Sequence, residues 1–150
     1  LIKINKNYKL ILAGDGIDKE KMMTIVEKKS LSEYVQFKGY VDNKVEFFSE
    51  IDILIVPSEN ESFGRVILEG MLSGIPVIAT SVGGIPEIIN HNVNGFLVKY
   101  GDENDLINFI LRLNNIEKRS QIINNAVTMI KEKFSKENYM NKLDKIYKDL

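Results

Sequence analysis

The chain has 150 residues, 20 Lys and Arg against 21 Asp and Glu for a formal net charge of −1, and no cysteine. Its 44% hydrophobic content is that of a globular chain, which excludes disordered and fibrous classes, and the near-zero charge argues against bulk nucleic-acid binding. Without cysteine there is no disulfide scaffold, Cys-ligated zinc or thiol catalysis, and no apolar run approaches the ~18 residues of a membrane span.

In chain order, Leu1 to Asn7 reads as the tail of a helix with no strand before it, which suggests a fragment truncated at its N-terminus. Lys9 to Ala13 is an apolar run stopped by Gly14-Asp15-Gly16, the pattern of a strand buried on both faces. Lys19 to Lys29 sets Met22, Met23, Ile25 and Val26 among lysines and glutamates, an amphipathic helix. Val35 to Lys38 alternates as a strand ending at Gly39, and Asp42 is the expected N-cap of a short helix through Phe48. Ile51 to Val56 is a second buried strand, halted by Pro57-Ser58.

Arg65 to Ser73 then reads as a helix, with Gly74 at its C′ position and Pro76 two residues on. Pro76 to Thr80 is a third buried strand, followed by the Gly83-Gly84 loop and by Pro86 at the first position of a short helix. Asn94-Gly95 turns the chain into a brief strand, Phe96 to Val98. From Asp102 onward the pattern is helical, a tail over about 103–150 with its break at Phe134-Ser135-Lys136.

Strands alternating with helices predict an α/β fold, Rossmann-like and doubly wound, with a mostly parallel sheet in which the runs at Leu10, Ile53 and Val77 are central. In the absence of repeats and linkers, the expectation is one domain, 1–150, in the cytoplasm. Open parallel sheets bind ligands beyond the carboxyl ends of their strands. Three glycine-bearing loops leave strands there, Gly14-Asp15-Gly16, Pro57 to Gly64 and Thr80 to Gly84, and a common cleft is expected. Tight strand-to-helix turns account for the same glycines. A dinucleotide fingerprint would need glycine where Lys19 stands, and no Gly-Lys-Ser/Thr makes a P-loop. His91, the sole histidine, lies in a polar run and reads as a surface loop residue rather than a general base.

Pro57 to Gly70 is the most informative segment. Glu61 falls in the loop and Glu69 about a turn inside the helix, while the amides of Phe63, Gly64 and Arg65 point out of the helix N-terminus as a ready anion site. Carboxylates repel phosphate, so neutral hydroxyls of a ribose or hexose are their natural partners. The alternative is plainer: Glu61 complements the helix dipole and Glu69 is a solvated helix residue.

Glu61 to Glu69 resembles the Glu-x7-Glu motif of retaining GT-B glycosyltransferases, group 1 or family 4. The resemblance extends through Pro57-Ser58, Glu61-Ser62-Phe63-Gly64, Leu68-Glu69-Gly70-Met71 and Gly74 to Thr80. Val82-Gly83-Gly84-Ile85-Pro86-Glu87 and Asn94-Gly95-Phe96-Leu97-Val98 follow in order, with Leu12 to Gly16 and Val35 to Val41 upstream. It covers about Lys9 to Leu113, and the tail is similar to the family's closing helices.

The resemblance implies the C-terminal half of a GT-B fold: a nucleotide-sugar-binding domain that uses a UDP- or GDP-sugar, with no cofactor and no obligate metal. By motif position Glu61 would be the catalytic residue that meets the donor sugar's hydroxyls, and Glu69 the ribose ligand. The amides around Phe63, Gly64 and Arg65 would receive sugar and diphosphate oxygens, with Gly14, Gly16 and Gly84 also on the donor path. Lys38, Gly39 and Tyr40 would flank the base. The implied parent is a hexosyltransferase of polysaccharide or cell-envelope biosynthesis. It would have a sugar or lipid-linked acceptor, no nucleic-acid partner, and an N-terminal acceptor-binding domain through which it would associate peripherally with membrane. The alternatives are a non-catalytic nucleotide-binding or interaction module, and another GT-B enzyme such as a nucleotide-sugar epimerase or a sucrose- or starch-type synthase.

The chain departs from the pattern at Gly70, where many members have alanine. The family's basic Arg and Lys, which offset diphosphate charge, would precede Leu1, so the isolated chain is expected to be inactive.

Overall fold

The computed structural model of the chain describes residues 1–135 together with Asn138, Met140, Asp144 and Tyr147. Two compact units, Leu1–Ile51 and Asp52–Leu150, divide it.

The first unit runs β1 (Leu10–Ala13), α1 (Lys19–Lys28), β2 (Val35–Gly39) and α2 (Lys44–Ser49). β1 and β2 are parallel, pairing Leu10 with Val35 and Leu12 with Phe37, and the register shifts before Ala13 pairs with Gly39. Three expectations are corrected here. Leu1 to Asn7 forms turns rather than a helix, with the amides of Ile4 and Asn5 bonding back to the Leu1 carbonyl at 2.7 and 3.0 Å. The N-cap of α2 is Asn43, whose Oδ1 accepts from the Glu46 amide at 3.2 Å; Asp42 lies one residue too early to reach that donor. β1 is not buried on both faces, since Leu10 is 44% exposed and α1 buries no residue. Two short strands and two short helices supply too few apolar layers to cover both sides of a ladder.

The second unit runs β3 (Leu54–Val56), α3 (Arg65–Leu72), β4 (Val77–Thr80), α4 (Ile85–Ile88), β5 (Phe96–Val98), α5 (Glu103–Arg112) and α6 (Ile116–Lys133). Its strands form a parallel sheet in the order β3-β4-β5. All four residues of β4 are buried, as an apolar central strand requires. α3 packs on β3, β4 and α6, and α5 on β4 and β5. The core joins Ile67 and Met71 of α3, Phe96 of β5, Phe109 of α5, and Ile122 and Ala126 of α6. Phe96 and Phe109 stack with centroids 4.6 Å apart.

The central strands therefore fall in two hydrogen-bonded ladders, β1-β2 and β3-β4-β5, where one sheet was expected. An apolar run specifies a strand, but its partner depends on long-range pairing. Gly74 takes the left-handed conformation, φ +74°, expected of a C′ glycine. Pro86 is the second rather than the first residue of its helix, because Ile85 opens it from an N-cap at Gly84. The tail carries a further break at Leu113 to Asn115, where the Asn115 side chain accepts from the Lys118 amide at 2.8 Å and starts a new helix. α6 ends at Phe134 as expected; the Lys136 part of that break, and most of the tail beyond it, lies outside the described residues.

Gly70 has a packing reason. A Cβ there would lie 2.6 Å from Leu54 Cδ2, so the missing side chain lets α3 sit close on β3. Glycine inside a helix costs ~1 kcal/mol of propensity relative to alanine.

Candidate functional site

The β3–α3 loop, Pro57 to Gly64, and the β4–α4 loop, Ser81 to Gly84, leave adjacent parallel strands at the same end. That end is where an open parallel sheet receives ligands. Gly64 is buried and caps α3 with φ +81°, a left-handed conformation that favours glycine, and a Cβ there would lie 2.9 Å from Ile67 Cδ1.

Glu61 is half-buried, and its Oε1 accepts from the Gly64 amide at 3.1 Å and the Phe63 amide at 3.4 Å. Two of the three amides expected to form an anion site are thus held by the chain's own carboxylate. The dipole-complementing role of Glu61 is realised, and the amides donate to an anionic oxygen. No donor among the described residues reaches Glu61 Oε2. Phe63 sets its ring edge-on to Phe134 at the end of α6, with centroids 6.0 Å apart. Arg65 is exposed at the first position of α3, and Glu69 lies half-buried one turn later on the same helix face.

Gly84 is buried at the N-cap of α4, where a Cβ would come within 2.5 Å of the Ser62 carbonyl oxygen. The structure brings Glu61, Phe63, Gly64 and Gly84 into one neighbourhood. Gly83 and Thr80 lie in the Thr80 to Gly84 loop expected at the cleft, and the structure gives each a role of its own. Gly83 has φ +51°, and a Cβ there would lie 1.7 Å from the Glu61 carbonyl oxygen. Thr80 is 2% exposed, with its Oγ1 2.5 Å from the Ser58 carbonyl oxygen. The glycine doublet was the visible signal; the threonine carried none beyond its place at a strand end.

The remaining candidates form a second group, within the first unit. Gly14 has φ +116°, which favours glycine, and both Gly14 and Gly16 face open space on the side a Cβ would occupy. The Gly14 amide donates to the Gly39 carbonyl at 2.6 Å, joining the ends of β1 and β2. Asp15 organises this group: it pairs with Lys19 at 2.6 Å and accepts from the Tyr40 amide at 2.9 Å. The Lys19 hydrogen bond, then the Tyr40 amide, hold its carboxyl below the ordinary carboxylate value. Lys38 is committed to an ion pair with Glu50, 2.6 Å from Oε1, while the Tyr40 side chain is exposed.

His91 is exposed as expected, yet it is oriented. Its Nδ1 accepts from the Leu97 amide at 3.1 Å, and its ring stands edge-on to Phe109 at 5.2 Å. Its role is to seat the turn before β5. Among the described residues no cluster of three His, Asp or Glu is placed to hold a metal ion, and no helix is long and apolar enough to cross a membrane.

Comparison with known proteins gives a consistent result. The family model for glycosyl transferases group 1 matches residues 1–129. The N-acetyl-alpha-D-glucosaminyl L-malate synthase of Bacillus anthracis is 34% identical over 95% of this chain and 38% of its own length. The crystal structure of Anabaena HepE in complex with UDP superposes with a TM-score of 0.86 at 28% identity, over 95% of this chain and 41% of that one. The C-terminal domain of a group 1 glycosyl transferase from Francisella tularensis superposes with a TM-score of 0.78 at 26% identity, over 90% of this chain and 74% of that domain. The chain thus spans about two fifths of the curated relatives it matches.

Proposed function

The chain belongs to the group 1 glycosyl transferases, with the Rossmann-like α/β fold of the C-terminal half of a GT-B protein, and from that premise we propose that it is the donor-binding domain of a retaining, nucleotide-sugar-dependent hexosyltransferase. In the proposed reaction the bond from the anomeric carbon to the nucleoside diphosphate breaks, a bond to an acceptor hydroxyl forms, and the configuration is kept. The acceptor, a cell-envelope or polysaccharide sugar or a lipid-linked one, is held by an N-terminal domain of the same protein. The isolated chain turns nothing over.

One observation carries the reading. The Pro57 to Gly64 loop holds one oxygen of the Glu61 carboxylate on the amides of Phe63 and Gly64, while among the described residues no donor reaches the other oxygen. The amides that hold one oxygen of Glu61 in place turn the other toward a sugar hydroxyl, which can only donate to it. Glu61 is proposed to meet the donor sugar, and Glu69 the ribose. The amide of Arg65 is proposed to receive a donor oxygen. The turns at Gly14 and Gly16 are proposed to line the diphosphate path, and Lys38, Gly39 and Tyr40 to flank the base. A UDP- or GDP-sugar is the proposed donor, with no metal; the bound UDP of the Anabaena structure supports the nucleotide class.

A thermal-shift panel of UDP- and GDP-sugars on the full-length protein tests the proposal. A donor at a hundred times its dissociation constant stabilises the protein by about 2.7 kcal/mol, a readily measured rise in melting temperature. No response to any member of the panel would overturn the reading.

A further inference from the structure

Resting on the reading of Glu61 as the residue that meets the donor sugar, we propose that the loop after β4 is the template that positions Glu61, with Gly83 and Gly84 as its surface and Thr80 as its anchor. The β3–α3 loop is held at three points. At its start, the buried Thr80 hydroxyl donates across from the neighbouring strand to the Ser58 carbonyl at 2.5 Å. In its middle, the backbone of Glu61 and Ser62 occupies the space that side chains on the glycine doublet would fill. A Cβ at Gly83 would stand 1.7 Å from Glu61 O and 2.9 Å from Glu61 C; one at Gly84 would stand 2.5 Å from Ser62 O and 3.3 Å from Phe63 Cα. At its end, the Glu61 carboxylate folds back on the amides of Phe63 and Gly64.

The middle contact is backbone against backbone, so no change of rotamer relieves it. A side chain at Gly83 must displace the Glu61–Ser62 peptide, and one at Gly84 the Ser62–Phe63 peptide that follows it and carries the amide bonded to Glu61. Gly83 adds a φ of +51°, which strains any other residue, whereas Gly84 sits at an ordinary φ of −81°. Gly84→Ala therefore tests the contact without backbone strain. Thr80→Val keeps the shape and removes the donor, and Thr80→Ser restores it. These are positioning residues: they act on the sugar only through where they place Glu61.

The experiment measures amide hydrogen exchange and donor turnover in the full-length protein carrying Gly84→Ala, Thr80→Val or Thr80→Ser, with Glu61→Gln as control. Gly84→Ala and Thr80→Val should speed exchange at Phe63 and Gly64 about tenfold or more, with core amides of β4 unchanged. Turnover of UDP-glucose or GDP-mannose, whichever the wild type uses, should fall in kcat by about tenfold to a hundredfold, more than KM rises, because a misplaced group costs most at the transition state. Thr80→Ser should recover both. Wild-type exchange at Phe63 and Gly64 in Gly84→Ala and Thr80→Val overturns the inference whatever the substrate is. Faster exchange with unchanged kcat overturns it as well. Wild-type turnover in Glu61→Gln, by contrast, removes the proposed role of Glu61 itself.

Discussion

Replacing Glu61 separates two duties that one side chain performs. Its Oε1 satisfies the Gly64 amide at 3.1 Å, while the Phe63 contact, at 3.4 Å, is at the weak limit of a hydrogen bond. Counting one sound hydrogen bond, Glu61→Ala should cost about 1 kcal/mol of stability, as loss of an ordinary loop hydrogen bond does. Glu61→Gln keeps an acceptor and loses only the charge at the helix N-terminus, about 0.3–1 kcal/mol. Denaturant unfolding at fixed pH reads both as shifts in midpoint at constant slope. Neither loss unfolds a protein with the usual 5–15 kcal/mol in hand, so activity at 25 °C should not follow stability. If Glu61 also accepts a sugar hydroxyl, both variants lose a charged hydrogen bond of roughly 1.5–3 kcal/mol in the transition state, about tenfold to a hundredfold in turnover. The reasoning predicts a mismatch: Gln nearly wild type in stability yet as inactive as Ala. Wild-type turnover in Gln, or an unchanged midpoint in Ala, would refute it.

Glu69→Ala should weaken binding of the bare nucleoside diphosphate by about tenfold to a hundredfold, measured by calorimetry; unchanged affinity would remove Glu69 from the ribose. Asp15, whose folded carboxyl titrates below its unfolded value, contributes stability that is fully present above the unfolded value and lost as pH falls through the folded one. The unfolding midpoint followed from about pH 5 to pH 2 should fall less steeply in Asp15→Asn than in wild type, and identical acid slopes would contradict the Lys19 and Tyr40 contacts. Asn94, 1% exposed, accepts from the Asn90 amide at 2.7 Å and donates to the Ile88 carbonyl at 3.0 Å. Asn94→Ala leaves both groups unpaired and should cost about 2–4 kcal/mol by denaturant unfolding, whereas a cost under about 0.5 kcal/mol would mean that the turn re-pairs them.

What the chain declares by itself is what depends on neighbouring residues. The strands at Leu10, Leu54, Val77 and Phe96 were legible from apolar runs with glycine or proline at one end, and the end of α3 from Gly74, because side-chain burial and φ are constrained locally. In the Pro57 to Glu69 segment residue types placed two carboxylates beside a helix N-terminus, and whether they serve a ligand or the helix itself stayed open. Partnership was not legible. Nothing in Leu10 to Ala13 says that it pairs with Val35 to Gly39 in a ladder of its own, and nothing in Leu111 to Ile116 outweighed the helical pattern until Asn115 turned its side chain onto Lys118. Asp15 reads as a loop acid until the fold brings the Tyr40 amide to it from 25 positions away. Gly83 and Thr80 are the clearest case. Their importance lies in the space between two loops some twenty residues apart in sequence, and steric exclusion across that gap exists only once β3 and β4 have paired.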